Sequence, residues 1–334
     1  MTDPGKTRSL QRVTSEDGFF LICALDHLSD FVELLEPDAA RSDYERAATV
    51  KAEIVRALAP HVSAFLLDPA YGLGTAIHTG AVPGTCGLMS SIENEGYEGV
   101  DHARETRFRA DWGARKIKLI GADVCKLLWF YRPDSDAAAH QRDVVKRLVD
   151  ECAALSLPLV VEPIWYPLEG EDPTSAAWKA RRAEGIVSSG IEAAGLGIDM
   201  LKTEFPGYLG DEGGLERAAD ACRALDAGID VPWVLLSAGV GFEEFALQLE
   251  TACRAGASGY LAGRSVWRDL AQTHDPVARE AALADAVDRL GTLNAVTRTH
   301  GRPYRSTPAI DEALREYPEE WDRSWQSEPV PAHA

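Results

Sequence analysis

Apolar residues along this chain follow two rhythms. Eight short runs are almost continuously apolar, and most of the stretches between them carry apolar residues every three or four positions. The first rhythm predicts buried strands and the second predicts helices packed on one face. Strands are expected at 18–27 (GFFLICALDH), 63–69 (SAFLLDP), 84–92, 122–131 (ADVCKLLWFY), 157–166 (LPLVVEPIWY), 199–206 (DMLKTEFP), 232–239 (PWVLLSAG) and 257–265 (ASGYLAGRS). Helices are expected at 41–59, 107–120, 137–155, 176–194, 215–227 and 242–255. In the first of them Tyr44, Ala48, Ile54, Val55 and Leu58 share the apolar side. Glu93-Asn94-Glu95-Gly96 reads as a polar turn. Asp275-Pro276 reads as the N-cap and first turn of a last helix reaching about Val296, because a proline there gives up an N–H that has no helical partner.

Strand and helix alternate through eight strands, and the strands are apolar on both faces. That is the pattern of an α/β protein with a parallel (β/α)8 barrel, or TIM barrel, here a single domain over residues 1–300. The repetition is architectural, with no internal sequence repeat. Residues 301–334 are rich in proline, charge and tryptophan (Trp321, Trp325) and are expected as a packing arm or a partly disordered tail. The alternative is an open doubly wound sheet. It would need a glycine-rich phosphate turn after the first strand, where the chain instead has Ala24-Leu25-Asp26-His27-Leu28.

Composition narrows the picture. A 46% hydrophobic share over 334 residues is enough for a sizeable core. No apolar run approaches a membrane span, and the first fourteen residues are polar, so a cytoplasmic location is expected. The six cysteines (Cys23, Cys86, Cys125, Cys152, Cys222, Cys253) lie far apart in apolar patterns and read as reduced core residues. The formal charge of −19 repels nucleic acid and anionic membranes, so neither is an expected partner. A phosphorylated substrate would therefore need a local cationic pocket.

Chemistry in this fold gathers at the C-terminal ends of the strands. Asp26, Asp68, Lys126, Glu162, Lys202 and Glu204 stand at or near such ends, with Ser237, Gly239, Gly263 and Arg264. Any one charged residue there is ordinarily solvated or salt-bridged. Two lysines and several carboxylates converging on one mouth point instead to a catalytic site. Lys202 and Glu204 lie two apart in one strand, so both are expected on one face. A lysine in a dry pocket loses proton affinity, and its neutral amine can attack a carbonyl to form a Schiff base. The structural alternative is a snorkelling lysine or a Lys–Glu pair. The Ser237-Ala238-Gly239 and Gly263-Arg264 loops follow strands seven and eight, which often bind phosphate in such barrels, and Arg264 adds a planar fork suited to phosphate or sulfonate oxygens. The eight histidines (His27, His61, His78, His102, His140, His274, His300, His333) form no ligand pair four apart, so neither a metal nor another cofactor is expected. His27 beside Asp26 reads as a polar contact to substrate rather than a metal ligand. No G-x-S-x-G elbow is present to support a serine triad.

The segments CALDH, LLDPAYG, ADVCKLLWFY, LVVEPIWY, DMLKTEFP, LLSAGV and LAGRSVW, in this order, resemble the class I tagatose-1,6-bisphosphate aldolase family, which includes the sulfofructose-phosphate aldolases. The resemblance spans roughly residues 18–270, and its combination of motifs is specific although no single motif is. It implies a metal-independent Schiff-base aldolase on a (β/α)8 barrel. By motif, Lys202 matches the Schiff-base lysine, Glu162 the proton-transfer acid/base, Lys126 the second active-site lysine and Asp26 the first-strand aspartate. Ser237, Gly239, Gly263 and Arg264 match the phosphate-binding loops. The family commonly continues the first motif as Asp-Gln-Arg. This chain has Asp26-His27-Leu28, so the arginine that would meet a far-end anionic group is replaced.

The expected substrate is a phosphorylated or sulfonated ketose, bound with the help of His27 and Asp68 and split into a dihydroxyacetone-phosphate-like half and an aldehyde. Lys126 is expected to lower the proton affinity of Lys202 by like-charge repulsion, and Glu162 to shuttle protons from a carboxyl with a raised pKa. Assembly as a homo-oligomer is expected. Two other readings use the same barrel. One is a sugar-phosphate isomerase or decarboxylase in which Lys202 only binds charge. The other is a non-catalytic ligand-sensing regulator, against which the complete Lys126, Glu162 and Lys202 set argues.

Overall fold

The computed structural model describes residues 3–35, 40, 42–94, 104–210, 212–273, 275–304 and 309–325. Eight parallel strands close in sequence order into one barrel: β1 (Phe20–Leu25), β2 (Ala64–Leu67), β3 (Gly87–Ser91), β4 (Val124–Phe130), β5 (Leu159–Ile164), β6 (Met200–Thr203), β7 (Trp233–Leu236) and β8 (Gly259–Ala262). The described helices are α1 (Pro4–Arg12), α2 (Ser29–Val32), α3 (Asp43–Leu58), α4 (Leu73–His78), α5 (Ala114–Leu119), α6 (Ala138–Ala154), α7 (Ala176–Gly195), α8 (Gly214–Ala227), α9 (Phe242–Ala255), α10 (Arg264–Gln272), α11 (Pro276–His300), α12 (Ile310–Glu316) and α13 (Trp321–Ser324). The TIM barrel expected from the alternation is the observed fold, and its strands are shorter at both ends than the apolar runs. The expected helix start at Arg41, the Glu95-Gly96 end of the polar turn and the histidines His102, His274 and His333 lie outside the described residues.

Strand side chains alternate faces, and the two faces build two separate cores. Phe20, Ile22 and Ala24 of β1 point inward with Ala64, Leu66, Met89, Val124, Val160, Met200, Val234 and Leu261. Their neighbours, among them Leu21, Cys23, Phe65, Leu127, Val161, Leu201 and Tyr260, point outward against the helices. This is why the runs read as continuously apolar. Burial on both faces removes the polar beat of a half-exposed strand.

The inner core is closed from below by α1, a helix in a segment whose polar composition predicts no buried element. Asp3 caps it by accepting from the Gly5 and Lys6 amides, and Pro4 occupies its first position. Leu10 and Val13 join the inner apolar cluster. Lys6 Nζ holds Asp199 at 2.8 Å, and Asp199 also accepts from the Leu159 amide at 2.8 Å. Beyond α11, Tyr304 donates its amide to Gly18 O and lays its ring 5.4 Å from Phe20.

Two other elements differ from expectation. The helix expected over 107–120 is confined to 114–119. Phe108 instead forms an antiparallel bridge with Glu93, the Arg109 amide donates to Ile92 O and Arg107 O accepts from the Asn94 amide, so these backbone groups are spent on the segment that follows β3, and the Trp112 side chain adds a bond from Nε1 to Ser91 O. The run expected as a strand to residue 265 ends at Ala262, and α10 begins at Arg264 with the Val266 amide donating to Gly263 O.

Gly87 shows how closely α1 seats. A Cβ there would lie 2.5 Å from Arg12 O and 2.8 Å from Val13 Cα, both backbone atoms. Gly87→Ala is therefore expected to cost about 1–3 kcal/mol through overpacking and to speed tryptic cleavage at Arg8 and Arg12. An unchanged urea midpoint with unchanged cleavage would show that α1 is not a structural plug.

Candidate active site

On β1, β3, β4, β5 and β6 the inward series continues one step beyond the apolar layer, and the next inward residue is polar. Ala24 is followed at that spacing by Asp26, Met89 by Ser91 and then Glu93, Val124 by Lys126, Val160 by Glu162 and Met200 by Lys202. The ladder register places Lys126 beside Ser91 on one side and Val160 on the other. The same alternation that fills the floor with hydrocarbon thus loads the mouth with charge. A cavity of about 360 Å³ opens there, lined by these residues with His27, Leu28, Asp30, Asn94 and Arg264. A larger cavity of about 790 Å³ lies outside the barrel between α7 and α8 and is lined by neither lysine.

The charges form one network. Lys126 Nζ lies 2.9 Å from Asp26 Oδ2, 2.6 Å from Glu93 Oε1 and 2.9 Å from Glu162 Oε2. Lys202 Nζ donates to that same Glu162 oxygen at 2.8 Å. Burial works against the Lys126 ammonium, but Asp26, Glu162 and Glu93 outweigh it and hold Lys126 well above the ordinary lysine range. Burial likewise favours a neutral Asp26, and Lys126 and Lys202 overcome it, so Asp26 stays well below the usual carboxylate range. Glu162 is also lowered: burial pushes it up, and the two ammoniums push it further down. The raised carboxyl expected at Glu162 is therefore not found, because both lysines meet at one of its oxygens. The like-charge repulsion expected from Lys126 is also offset, since three carboxylates surround that ammonium.

His27 lies between this network and Arg264. Its ring stands edge-on to Trp267 at 5.3 Å, and Nδ1 is 3.9 Å from Asp26 Oδ1, too far for a hydrogen bond. Burial pushes its pKa down to about 4, against the pull of Asp26, so the ring is neutral at pH 7. Arg264 is the first residue of α10 and lies 3.4 Å from the exposed Asp30 carboxylate. In the loop after β7, Ala238 and Gly239 both take positive φ, 47° and 76°. This left-handed turn brings Gly239 against Arg264, where an added Cβ would lie 3.4 Å from Nη2. Ser237 Oγ accepts from the Gly263 amide at 3.4 Å and ties the β7 end to the β8 end.

Of the residues singled out by sequence, Asp26, His27, Lys126, Glu162, Lys202 and Arg264 line one cavity, and Ser237, Gly239 and Gly263 lie behind Arg264. Asp68 is placed elsewhere. It is fully buried, is ion-paired with Lys51 of α3 and accepts from the Tyr71 amide at 2.6 Å. Glu204 does not share the face of Lys202. It lies past the end of β6, where strand alternation no longer applies, and accepts from Arg182 Nη2 at 2.6 Å and the Trp165 amide at 3.0 Å. Glu93 was not among the expected site residues. Its signal was the inward spacing Met89, Ser91, Glu93, hidden by its place in a polar turn.

The profile of the DeoC/LacD family of aldolases matches residues 21–269. The chain belongs to that family. This aldolase, a carbon–carbon lyase, is 28% identical over 330 residues to tagatose 1,6-diphosphate aldolase 2 of Streptococcus mutans, covering 91% of this chain and 98% of that protein. It is 30% identical over 283 residues to tagatose 1,6-diphosphate aldolase 2 of Enterococcus faecalis, covering 79% and 84%. Its barrel is similar to that of a Schiff-base-forming fructose-1,6-bisphosphate aldolase, with a TM-score of 0.59 at 18% identity, covering 86% of this chain and 99% of that one.

The charge network makes the aldolase's stability depend on pH. Asp26 and Glu162 have lowered pKa values, so their contribution is present above the unfolded carboxylate values near ~4 and is lost as the pH falls below them. Lys126→Met leaves three carboxylates against one ammonium and is expected to cost about 3–5 kcal/mol at pH 7. Without their cation these carboxylates favour protonation, so the deficit should shrink at pH 5. Urea denaturation at both pH values measures it, and an equal deficit would show that the network is not what Lys126 supports.

Proposed function

We propose that this aldolase acts through a Schiff base on Lys202, cleaving or forming a phosphorylated ketose with a dihydroxyacetone-phosphate-like half and an aldehyde as products. The observation that carries the reading is the meeting of Lys202 and Lys126 on one oxygen of Glu162. Lys126 is committed as a cation to three carboxylates, which leaves Lys202 as the nucleophile. The 2.8 Å bond from Lys202 to Glu162 gives the ammonium proton a short path to the carboxylate.

The neutral amine adds to the ketose carbonyl and forms a carbinolamine. The proton held by Glu162 then goes to the departing hydroxyl, which leaves as water, and an iminium remains. Electrons from the adjacent carbon–carbon bond move into the iminium as Asp26 takes up the hydroxyl proton of the aldehyde half. Asp26 is suited first to orienting that hydroxyl, because its anion is held firmly by Lys126. The enamine left on Lys202 is reprotonated, water returns, and hydrolysis frees the second product. Three carboxylates around two lysines favour a cationic intermediate over a neutral one.

Arg264, the first amides of α10 and the left-handed turn at Gly239 support a phosphate at the β7–β8 end of the cavity. The relatives named tagatose 1,6-diphosphate aldolase support a ketose phosphate as the class. At the other side of the cavity, Leu28, Glu93 and Asn94 suit hydroxyl groups better than a second anion. Buried cysteines, and the absence among the described residues of a helix long and apolar enough to cross a membrane, support a cytoplasmic enzyme.

Borohydride reduction in the presence of substrate is expected to fix a fragment to Lys202, and Lys202→Met should abolish both adduct and turnover in a folded protein. An adduct mapped to Lys126 would reverse the two roles. Arg264→Ala is expected to lower kcat/KM for phosphorylated ketoses by roughly tenfold to more than a hundredfold, the loss of one charge-assisted hydrogen bond. Trapping with small uncharged ketones should be spared. An equal loss for both would make Arg264 a structural residue.

A further inference from the structure

Lys51 is the one fully buried lysine of α3 and takes no part in the mouth cavity. Its ammonium has three N–H donors. One reaches Leu25 O at 2.9 Å, another reaches His27 O at 2.6 Å, and Asp68 Oδ2 accepts as well. The ammonium also lies 4.8 Å from the centre of the Phe31 ring. Burying such a pair costs several kcal/mol, and apolar residues of the same size would stabilise the fold as well or better. What the pair does that hydrocarbon cannot is hold two carbonyls, and those carbonyls flank Asp26 on either side.

The end of β1 needs such a hold. The strand ends at Leu25, so Asp26 and His27 have left the barrel ladder, yet Asp26 must reach across the mouth to Lys126 at 2.9 Å. Fixing the carbonyls before and after Asp26 fixes the backbone that aims its side chain. Asp68, anchored in turn by the Tyr71 amide, ties this grip to the end of β2. The LLDP motif thus supplies an anchor beside the site.

We propose that Lys51 and Asp68 are a positioning pair that aims Asp26 at Lys126. The proposal rests on the reading that Asp26 acts in the aldol reaction. The test is the double variant Lys51→Met/Asp68→Asn, which nearly keeps volume and leaves no buried charge unpaired. It should lower kcat on the order of tenfold to a hundredfold, the effect of a misplaced group, while KM changes little. Added to Asp26→Asn it should lower kcat no further, since it acts through Asp26. A crystal structure of the double variant should show Asp26 withdrawn from Lys126. Wild-type kcat in a folded double variant, or Asp26 still 2.9 Å from Lys126, would overturn the proposal. Should that double variant not fold, Lys51→Leu/Asp68→Asn, which likewise leaves no buried charge unpaired, decides: a lowered kcat at constant KM supports the pair, and a wild-type kcat overturns it. Full kcat in Asp26→Asn would remove the catalytic role of Asp26, and the measured distance would then decide the positioning separately.

Discussion

Two ammoniums and three carboxylates share the mouth of this barrel, and the rest of the chain makes that arrangement tolerable. Taking an isolated ammonium or carboxylate out of water costs several kcal/mol, so such groups survive burial only when paired closely. Lys126, Lys202, Asp26, Glu93 and Glu162 are joined by contacts of 2.6–2.9 Å. The apolar layer beneath them raises the stakes, because it strengthens every charge interaction and offers no partner to a group that loses its own. One negative charge is left in excess. That surplus suits the cationic intermediate of the Schiff-base reaction we propose for it.

Substrate binding has the opposite electrostatic problem. The chain carries −19, which repels a phosphate at a distance. The remedy we propose is local: an arginine at a helix start and a turn with two successive positive φ values against it. Asp30 opposes Arg264 at 3.4 Å, but exposed pairs of this kind are worth only about 0–1 kcal/mol, so a phosphate can displace it. Rigidity comes from the strand ends. Ser237 ties β7 to β8, Arg182 and Glu204 tie the end of β6 to α7, and Lys51 ties the end of β1 to Asp68. Each tie lies one step outside the reacting groups.

Some of what was missed was present in the sequence. Asp3-Pro4 carries the same N-cap and first-turn signature as Asp275-Pro276, and both begin helices. Glu93 continues an inward series that Met89 and Ser91 announce. Other features had no local signal. Residues 107–112 have helical spacing, but Arg107 and Arg109 spend backbone hydrogen bonds on Asn94 and Ile92, just past β3. Lys51 looks like any lysine on an amphipathic helix until α3 is packed against the ends of β1 and β2. The lowered carboxyl of Glu162 depends on two lysines from two different strands, far from it in sequence.

The sequence by itself determined the barrel, the strands that carry Lys126, Glu162 and Lys202, the strand end that presents Asp26, and the turn character of the Ser237 and Gly263 segments. Those features follow from period, burial and turn chemistry, which act over a few residues. Only the tertiary structure decided which charge meets which. Asp68 went to Lys51, Glu204 went to Arg182, and Glu93 joined Lys126. Pairing depends on register between strands and on where each strand ends. Past that end, a side chain's direction is set by whichever partner can satisfy a buried charge.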